Sequence, residues 1–437
     1  MGRGRRAGRR GAAAAALALV LALGLGAWGA EAAQHGTVWV RCGRLIFDAR
    51  QAPLAPATVI ITDGQITAVG RDLAPPAGAE RIDLSRYTVL PGLIDAHTHL
   101  WTGPRGEHPS DALAALRARQ AVEYALRSGV AAMRILGSQG FIDVALHDAI
   151  EEGDFAGPHI IPAGHAISIP GGHGDFLAFG PQYAMADFYT PLNGYVNSPA
   201  DAEKAVHLQI KYGALVIKMM PSGGVMSPLD SPDAEQLSPE EMRVIVEEAH
   251  MAHRKVAAHD ENHQAIADAL AAGVDSIEHG AGLDAAQAAT MRAHGVFLVP
   301  TQYIPHAVID NAAKEHLPDY MVRKARALVD SMETSFRTAL AAGTKIAAGS
   351  DQSYEPGKGT VLDEIAAEAQ YGMTPQQALE SATIGGAELL GLPRLGTVAA
   401  GQEGDLVAVA GDPLSDAKAI KNVRAVIFRG RTIVAPH

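Results

Sequence analysis

Val89-Leu90-Pro91-Gly92-Leu93-Ile94-Asp95-Ala96-His97-Thr98-His99 is the stretch on which the fold turns. Val89–Ala96 is an apolar run of strand length with little alternation. That is how a strand buried on both faces of a parallel sheet reads. It stops at two histidines spaced i and i+2. Side chains two apart on a strand share a face, so both imidazoles can reach one point at the strand's C-terminal end.

Outward from this stretch, the chain from about 90 to 390 repeats the same unit. Short apolar runs fall at Val130–Leu136, Ile160–Ala163, Leu215–Met219, Val256–His259, Ser276–His279, Val296–Pro300 and Ile346–Ser350, with helical patterns between them. Ser238-Pro239-Glu240-Glu241 supplies an N-cap, a proline at the first helical position and a carboxylate for a capping box. Met242, Ile245, Val246 and Ala249 then form one apolar stripe. Thr374-Pro375-Gln376-Gln377 repeats the cap, and Gly213 and Gly273 mark helix stops. Eight β-α units in series predict an α/β fold, a (β/α)8 TIM-like barrel with its chemistry at the C-terminal strand ends. An open doubly wound sheet is the competing arrangement, and eight units of this length favour closure.

The two ends differ from this middle. Val59–Thr62, Asp63-Gly64 and Gln65–Val69 read as a hairpin, and Asp405–Val409 and Val423–Phe428 return to the same style. Neither end carries enough residues for its own core, so both are expected to build one small β-sandwich, from 33–89 and 391–437, around the barrel at 90–390. Residues 1–32 read as a signal peptide: arginines up to Arg10, an apolar run Ala12–Ala27, then Ala30-Glu31-Ala32 as the cleavage site. The run is shorter than a membrane span, which predicts an exported, periplasmic or secreted protein whose mature part has no membrane segment.

The chain has 437 residues, is 48% hydrophobic and 19% charged, and carries a net charge of -12. Loss of the leader removes five arginines and Glu31 and leaves about −16. So acidic a surface repels phosphate backbones and anionic lipid, which argues against nucleic acid and membrane partners. The one cysteine, Cys42, excludes an intrachain disulfide and reads as a packing residue in a strand.

The candidate strand ends carry a chemistry of their own. The first ends in His97 and His99, the fourth in Lys218, the fifth in His259, the sixth in His279 and the eighth in Asp351. One strand-end histidine would mean little among the 18 in the chain, but six such residues on one rim mean a metal site. Imidazole and carboxylate suit zinc or a similar divalent ion. A protonated Lys218 would repel metal, whereas a neutral amine could react with carbon dioxide to give a bridging carbamate. The expectation is therefore two divalent cations ~3.5–4 Å apart, bridged by carbamylated Lys218 and a hydroxide. His97, His99 and Asp351 would hold the more buried ion, and His259 and His279 the more exposed one.

Pro91–His99, the lysine ending strand four, Ile277-Glu278-His279-Gly280 and Gly349-Ser350-Asp351 together resemble the amidohydrolase superfamily. The branch is that of prolidase-like and Xaa-Arg-type metallodipeptidases, imidazolonepropionase-like proteins and ochratoxin-hydrolysing amidases. Met373-Thr374-Pro375, Leu389-Leu390-Gly391 and Gly404-Asp405-Leu406-Val407 resemble the family's C-terminal stretch. The resemblance implies a barrel with a β-sandwich, a dinuclear site, amide hydrolysis and homo-oligomers. Three places depart from the pattern: Asp260-Glu261-Asn262 after His259, Met133-Arg134-Ile135 without a following acid, and Gly404 in place of alanine.

The expected reaction is attack on an amide carbonyl by the bridging hydroxide, with Asp351 moving the proton to the leaving amine. The substrate class is a dipeptide, an N-acyl amino acid or a similar carboxylate-bearing amide. His173, in Gly171-Gly172-His173-Gly174-Asp175, opens a long segment after strand three. It is read as a donor to the oxyanion or to a substrate carboxylate, or as a brace for its loop. Gly223 and Val225 would let substrate approach the backbone, and Tyr303 is a pocket candidate. Two other readings compete: a lactam or imidazolone-type hydrolase or deaminase, and a binding module on a degenerate barrel, against which six filled ligand positions stand.

Overall fold

A computed structural model of the chain describes residues 1–2, 36–100, 110–175 and 188–436. The expected leader lies, save its first two residues, outside the described residues, as does 176–187 of the segment after His173.

The N-terminal part forms β1 (Thr37–Leu45), β2 (Ala57–Thr62), β3 (Gln65–Gly70) and β4 (Glu80–Pro91). The hairpin β2–β3 turns at Asp63 (φ 50°) and Gly64 (φ 80°), the positive-φ pair that a two-residue turn requires. β5 (Leu93–Thr98), β6 (Val130–Ile135) and β7 (His159–Pro162) make a three-stranded parallel sheet. β8 (Val216–Met219), β9 (Lys255–Asp260), β10 (Ser276–His279), β11 (Phe297–Val299) and β12 (Lys345–Ile346) make a five-stranded parallel one. The chain ends with β13 (Leu406–Val409), β14 (Val423–Phe428) and β15 (Arg431–Val434).

The terminal strands share a sheet, as expected, but all seven are hydrogen-bonded in one series, β15-β14-β13-β4-β1-β2-β3, rather than as two facing sheets. The cause is the 12-residue β4. Its first half pairs parallel with β1 (Val38↔Glu80), and its last residues pair antiparallel with β13 (Leu406↔Pro91). One long strand thereby joins both chain ends edge to edge. On one face Val40, Val59, Ile61, Leu84, Val89, Leu406 and Ile427 are buried together. Cys42 lies among them, and burial pushes its thiol up to about 12, as befits an inert packing residue.

Gly92 separates β4 from β5. Its N–H donates to the Asp405 carbonyl at 2.9 Å, and a Cβ there would lie 2.5 Å from the Ala131 Cβ. The site-bearing strand can pass between two neighbours only with no side chain at that point.

The eight parallel strands are divided between two sheets, and isolated parallel bridges cross the seams at Ile167↔Met219 and Thr98↔Gln352. The expected eighth strand, Ile346–Ser350, is cut to two residues. Ala348 donates instead to the Ser381 carbonyl, while the Ala348 carbonyl accepts from Ala96 at 2.8 Å. The capping boxes at Ser238 and Thr374 are formed, and Gly273 ends its helix in the left-handed conformation. Helix faces bury Val122, Val206, Ile245, Ile266, Phe336 and Ile365 against the strands.

Candidate metal centre

The C-terminal ends of β5, β8, β9 and β10 and the segment after β12 carry the functional side chains. His97 and His99 do face the same way: their Nε2 atoms are 3.3 Å apart. Asp351 Oδ1 lies 3.2 Å from His99 Nε2 and 3.6 Å from His97 Nε2. His97, His99 and Asp351 thus form one group in which the three ligand atoms sit within 4.8 Å of one another.

The proton on His97 can be placed. Its Nδ1 lies 2.7 Å from Glu278 Oε2, and that oxygen, being ionised, only accepts. His97 therefore carries its proton on Nδ1 and turns the Nε2 lone pair toward His99 and Asp351. Three acceptor atoms then converge. A proton on His99 serves one of them, whereas a divalent cation serves all three, and this donor set is one that zinc favours.

The other two histidines complete the row. His279 lies 5.0 Å from His97 and 4.6 Å from His259, ring centre to ring centre. Thr301 Oγ1 lies 2.8 Å from His279 Nδ1. His259 Nε2 donates to the Gly223 carbonyl at 3.1 Å, which leaves Nδ1 as its ligating atom. Burial holds His97 down to about 4, and burial with the neighbouring imidazoles holds His259 and His279 well below the usual range. Neutral imidazoles are the form that binds a metal.

Lys218 is buried to 1% exposure, and its Nζ has no hydrogen-bond partner among the described residues. Burial pulls the ammonium down to about 8 although Glu278 and Asp351 hold it up. Its charge in turn depresses His97, His259 and His279, which puts it in the same field. An unpaired buried amine that loses its proton near neutrality is a poor structural group and a reactive one.

Two features re-aim side chains here. His279 at the end of β10 has φ 66° and Asp351 has φ 52°, both in the left-handed region. The turn at His279 lets consecutive Glu278 and His279 both serve the interior, which strand alternation alone forbids. Beneath the cluster, Arg134 Nη2 reaches Glu278 Oε1 at 2.8 Å and Nη1 reaches Ser276 Oγ at 3.0 Å. Burial pushes the Glu278 carboxyl up, but Arg134 and His97 outweigh it and hold it low. Burial likewise raises Asp351, and the His99 hydrogen bond and the imidazoles bring it well below the usual range. Asp95 receives Ser350 N and Tyr354 Oη and so anchors the segment that presents Asp351.

His173 stacks on His259, with ring centres 4.1 Å apart and planes 18° apart. Gly223 presents its carbonyl to His259, and a Cβ there would strike the Ser231 carbonyl, so protein backbone rather than substrate makes the close approach. Val225 packs with Ala281, Val308 and Met321 in a satellite apolar cluster. The Tyr303 phenol is raised by burial and by Asp363, Glu315 and Asp310. The sequence motifs contain Glu278 and Arg134 but assign them no role, and Ser276 reads there only as the start of a strand. The signal for Arg134 is a single charge in an otherwise apolar strand.

Residues 88–433 match the Amidohydrolase family model. The chain belongs to the amidohydrolase family. This amidohydrolase is 34% identical over 398 residues to an ochratoxinase of Aspergillus niger, covering 86% of this chain and 81% of the relative. Among solved structures it is similar to a Xaa-Pro dipeptidase with methionine bound in the active site. That pair has a TM-score of 0.84 at 30% identity over 91% of this chain and 99% of the other. A prolidase complexed with N-methylphosphonate-L-proline gives 0.82 at 31%, over 92% and 100%. The amidohydrolase is accordingly a hydrolase of C–N bonds on an α/β fold with parallel strands.

Proposed function

We propose that this amidohydrolase cleaves the amide bond of a dipeptide, an N-acyl amino acid or a similar carboxylate-bearing small molecule, at a site for two divalent cations. The observation that carries the reading is Lys218 Nζ, buried and unpaired within the field of three neutral imidazoles. His97, His99 and Asp351 would hold one ion, and His259 and His279 the other. The neutral Lys218 amine could add to carbon dioxide, forming an N–C bond and releasing one proton, and the resulting carbamate would be an anionic ligand for the ions. When bound, the cations supply an acidified water as nucleophile and polarise the scissile carbonyl.

The chain's own groups do the rest. Glu278 fixes His97 with its lone pair outward. Asp351, ionised and bent into the mouth, would take a proton from the attacking water on the carboxylate oxygen that is not a ligand and pass it to the leaving nitrogen as the C–N bond breaks. A carboxylic acid and an amine result. The substrate class is supported by the ochratoxinase, dipeptidase and prolidase similarities, and the eight parallel strands are read as the wall of a (β/α)8 barrel beside the terminal sheet. The basic, apolar and small-residue order of residues 1–32 supports export, and the same reading has the enzyme assembling from copies of itself.

The test is metal analysis with a substrate screen. Purified protein should hold about two equivalents of zinc or a similar ion per chain, and chelation should abolish turnover that readdition restores. Dipeptides and N-acyl amino acids should be hydrolysed ahead of cyclic amides. One equivalent at full activity, or turnover of cyclic amides alone, would displace this reading in favour of a lactam hydrolase or deaminase.

A further inference from the structure

A second group of metal-ligating side chains lies at the opposite end of the strands. His159 opens β7 at the N-terminal foot of the three-stranded parallel sheet, while Glu403 and Asp405 stand just before β13 of the terminal sheet. One ring nitrogen of His159 and one carboxylate oxygen from each acid lie within 4.8 Å of one another. Asp405 is only 4% exposed. Its Oδ1 accepts from the Arg429 backbone N–H at 2.7 Å, but Oδ2 is buried and has no partner among the described residues. A buried carboxylate oxygen left unserved is costly, so this one requires a positive partner.

The neighbouring cations do not supply it. His159 Nε2 lies 2.9 Å from Glu403 Oε2, and its Nδ1 faces Glu151 Oε1 at 3.5 Å. A doubly protonated ring would therefore give one proton to Glu403 and turn the other to Glu151, with none for Asp405. Arg394 Nη2 donates to Glu403 Oε1 at 3.0 Å. Arg429 Nη2 lies 3.0 Å from His159 Nδ1 and 3.2 Å from Nε2. Both distances hold only if it sits over the ring face, because in the ring plane it would strike the carbon between the two nitrogens. The guanidinium hence stacks on the imidazole and takes neither in-plane lone pair. A divalent cation serves what remains: the Nε2 lone pair, Glu403 and Asp405. Nδ1 then keeps its proton toward Glu151, the outer carboxylate that orients a ligating imidazole. One imidazole and two carboxylates, with water in a fourth position, are a donor set that zinc accepts.

We propose that His159, Glu403 and Asp405 bind a divalent cation of their own, zinc or a similar ion, which joins the foot of β7 to the terminal sheet. The N-terminal ends of parallel strands serve stability rather than chemistry, so this ion holds the fold. The site uses no residue of the mouth and does not depend on the proposed amide hydrolysis. Arg394 and Arg429 beside it weaken its affinity, so it fills from added zinc, after the ions proposed for the mouth.

The test uses the full chain and zinc alone. On titration the wild type should take up one equivalent more than His159→Gln or Glu403→Gln, and that last equivalent should raise its melting temperature by a few degrees. His97→Ala combined with His99→Ala, which breaks the proposed site in the mouth, should keep this uptake and this shift. Equal uptake by the wild type and both foot variants would overturn the inference. Should those variants fail to fold, anomalous scattering at the zinc edge from wild-type crystals decides. A peak about 2.0–2.2 Å from His159 Nε2, Glu403 and Asp405 supports the site, and no peak there at saturating zinc removes it. Zinc bound at the foot but not in the mouth would strike the proposed function instead.

Discussion

Glu278 accepts from two directions at once: His97 Nδ1 at 2.7 Å on one oxygen and Arg134 Nη2 at 2.8 Å on the other. All three groups are buried, and the carboxylate thereby links the floor of the site to a ligand. A carboxamide offers an acceptor to only one of these donors and sets a second N–H against the other. Glu278→Gln should therefore lower metal affinity by about 10–100-fold. It should also destabilise the metal-free protein by about 3–5 kcal/mol, because Arg134 is left buried and unpaired. Metal titration and urea unfolding check the two halves, and unchanged affinity would remove Glu278 from its orienting role.

Lys218 makes the opposite case. Its Nζ has no partner to lose, so Lys218→Met should leave the melting temperature of the metal-free protein equal or higher. Turnover should fall by about two orders of magnitude, with one metal equivalent lost. A short carboxylic acid added to Lys218→Ala should restore part of the activity. Full turnover in either variant would refute the bridge.

The acidic pair Glu364 and Glu368 gives a pH dependence. Glu364 accepts from the backbone N–H groups of Gln302 and Tyr303, and Ser381 Oγ donates to Glu368. Burial, and for Glu364 also the neighbouring carboxyl, raises both. A carboxyl raised on folding binds its proton more tightly in the folded state, so its stability contribution is full below the unfolded value of about 4.3 and fades as pH rises. Glu368→Gln should thus gain melting temperature relative to wild type at pH 8 and show little gain at pH 4. A gain independent of pH would mean that the pair shares no titration.

At Gly92 the prediction concerns shape alone. A Cβ there would press on Ala131 and Asp405, so Gly92→Ala should cost about 1–3 kcal/mol by overpacking. Denaturant titration measures it, and metal affinity should change little unless the strain reaches His97.

Much of this was legible in the chain. His97 and His99 were placed together by strand periodicity alone, and Ser238 and Thr374 by cap chemistry. What escaped depended on backbone turns that composition does not encode. Strand alternation sets Glu278 and His279 on opposite faces, and only the left-handed φ at His279 brings both to bear on the site. The eighth strand reads as five residues, yet Ala348 gives its hydrogen bond to Ser381, a partner no local pattern announces. Val225 was placed by its nearness in sequence to Lys218, and its side chain settles in a satellite apolar cluster.

The long β4 has one further result. Its residues 80–84 pair with β1 and its residues 88–91 with β13, Thr88 and Val89 having a partner on both sides. The strand leading into β5 therefore gains its second neighbour only once residues 406–409 have been made. A message cut short before the codons for residues 406–409 would yield a protein with every ligand proposed for the mouth translated and the strand that leads to two of them bare along one edge. Such a product belongs to the cell's proteases rather than to its chemistry.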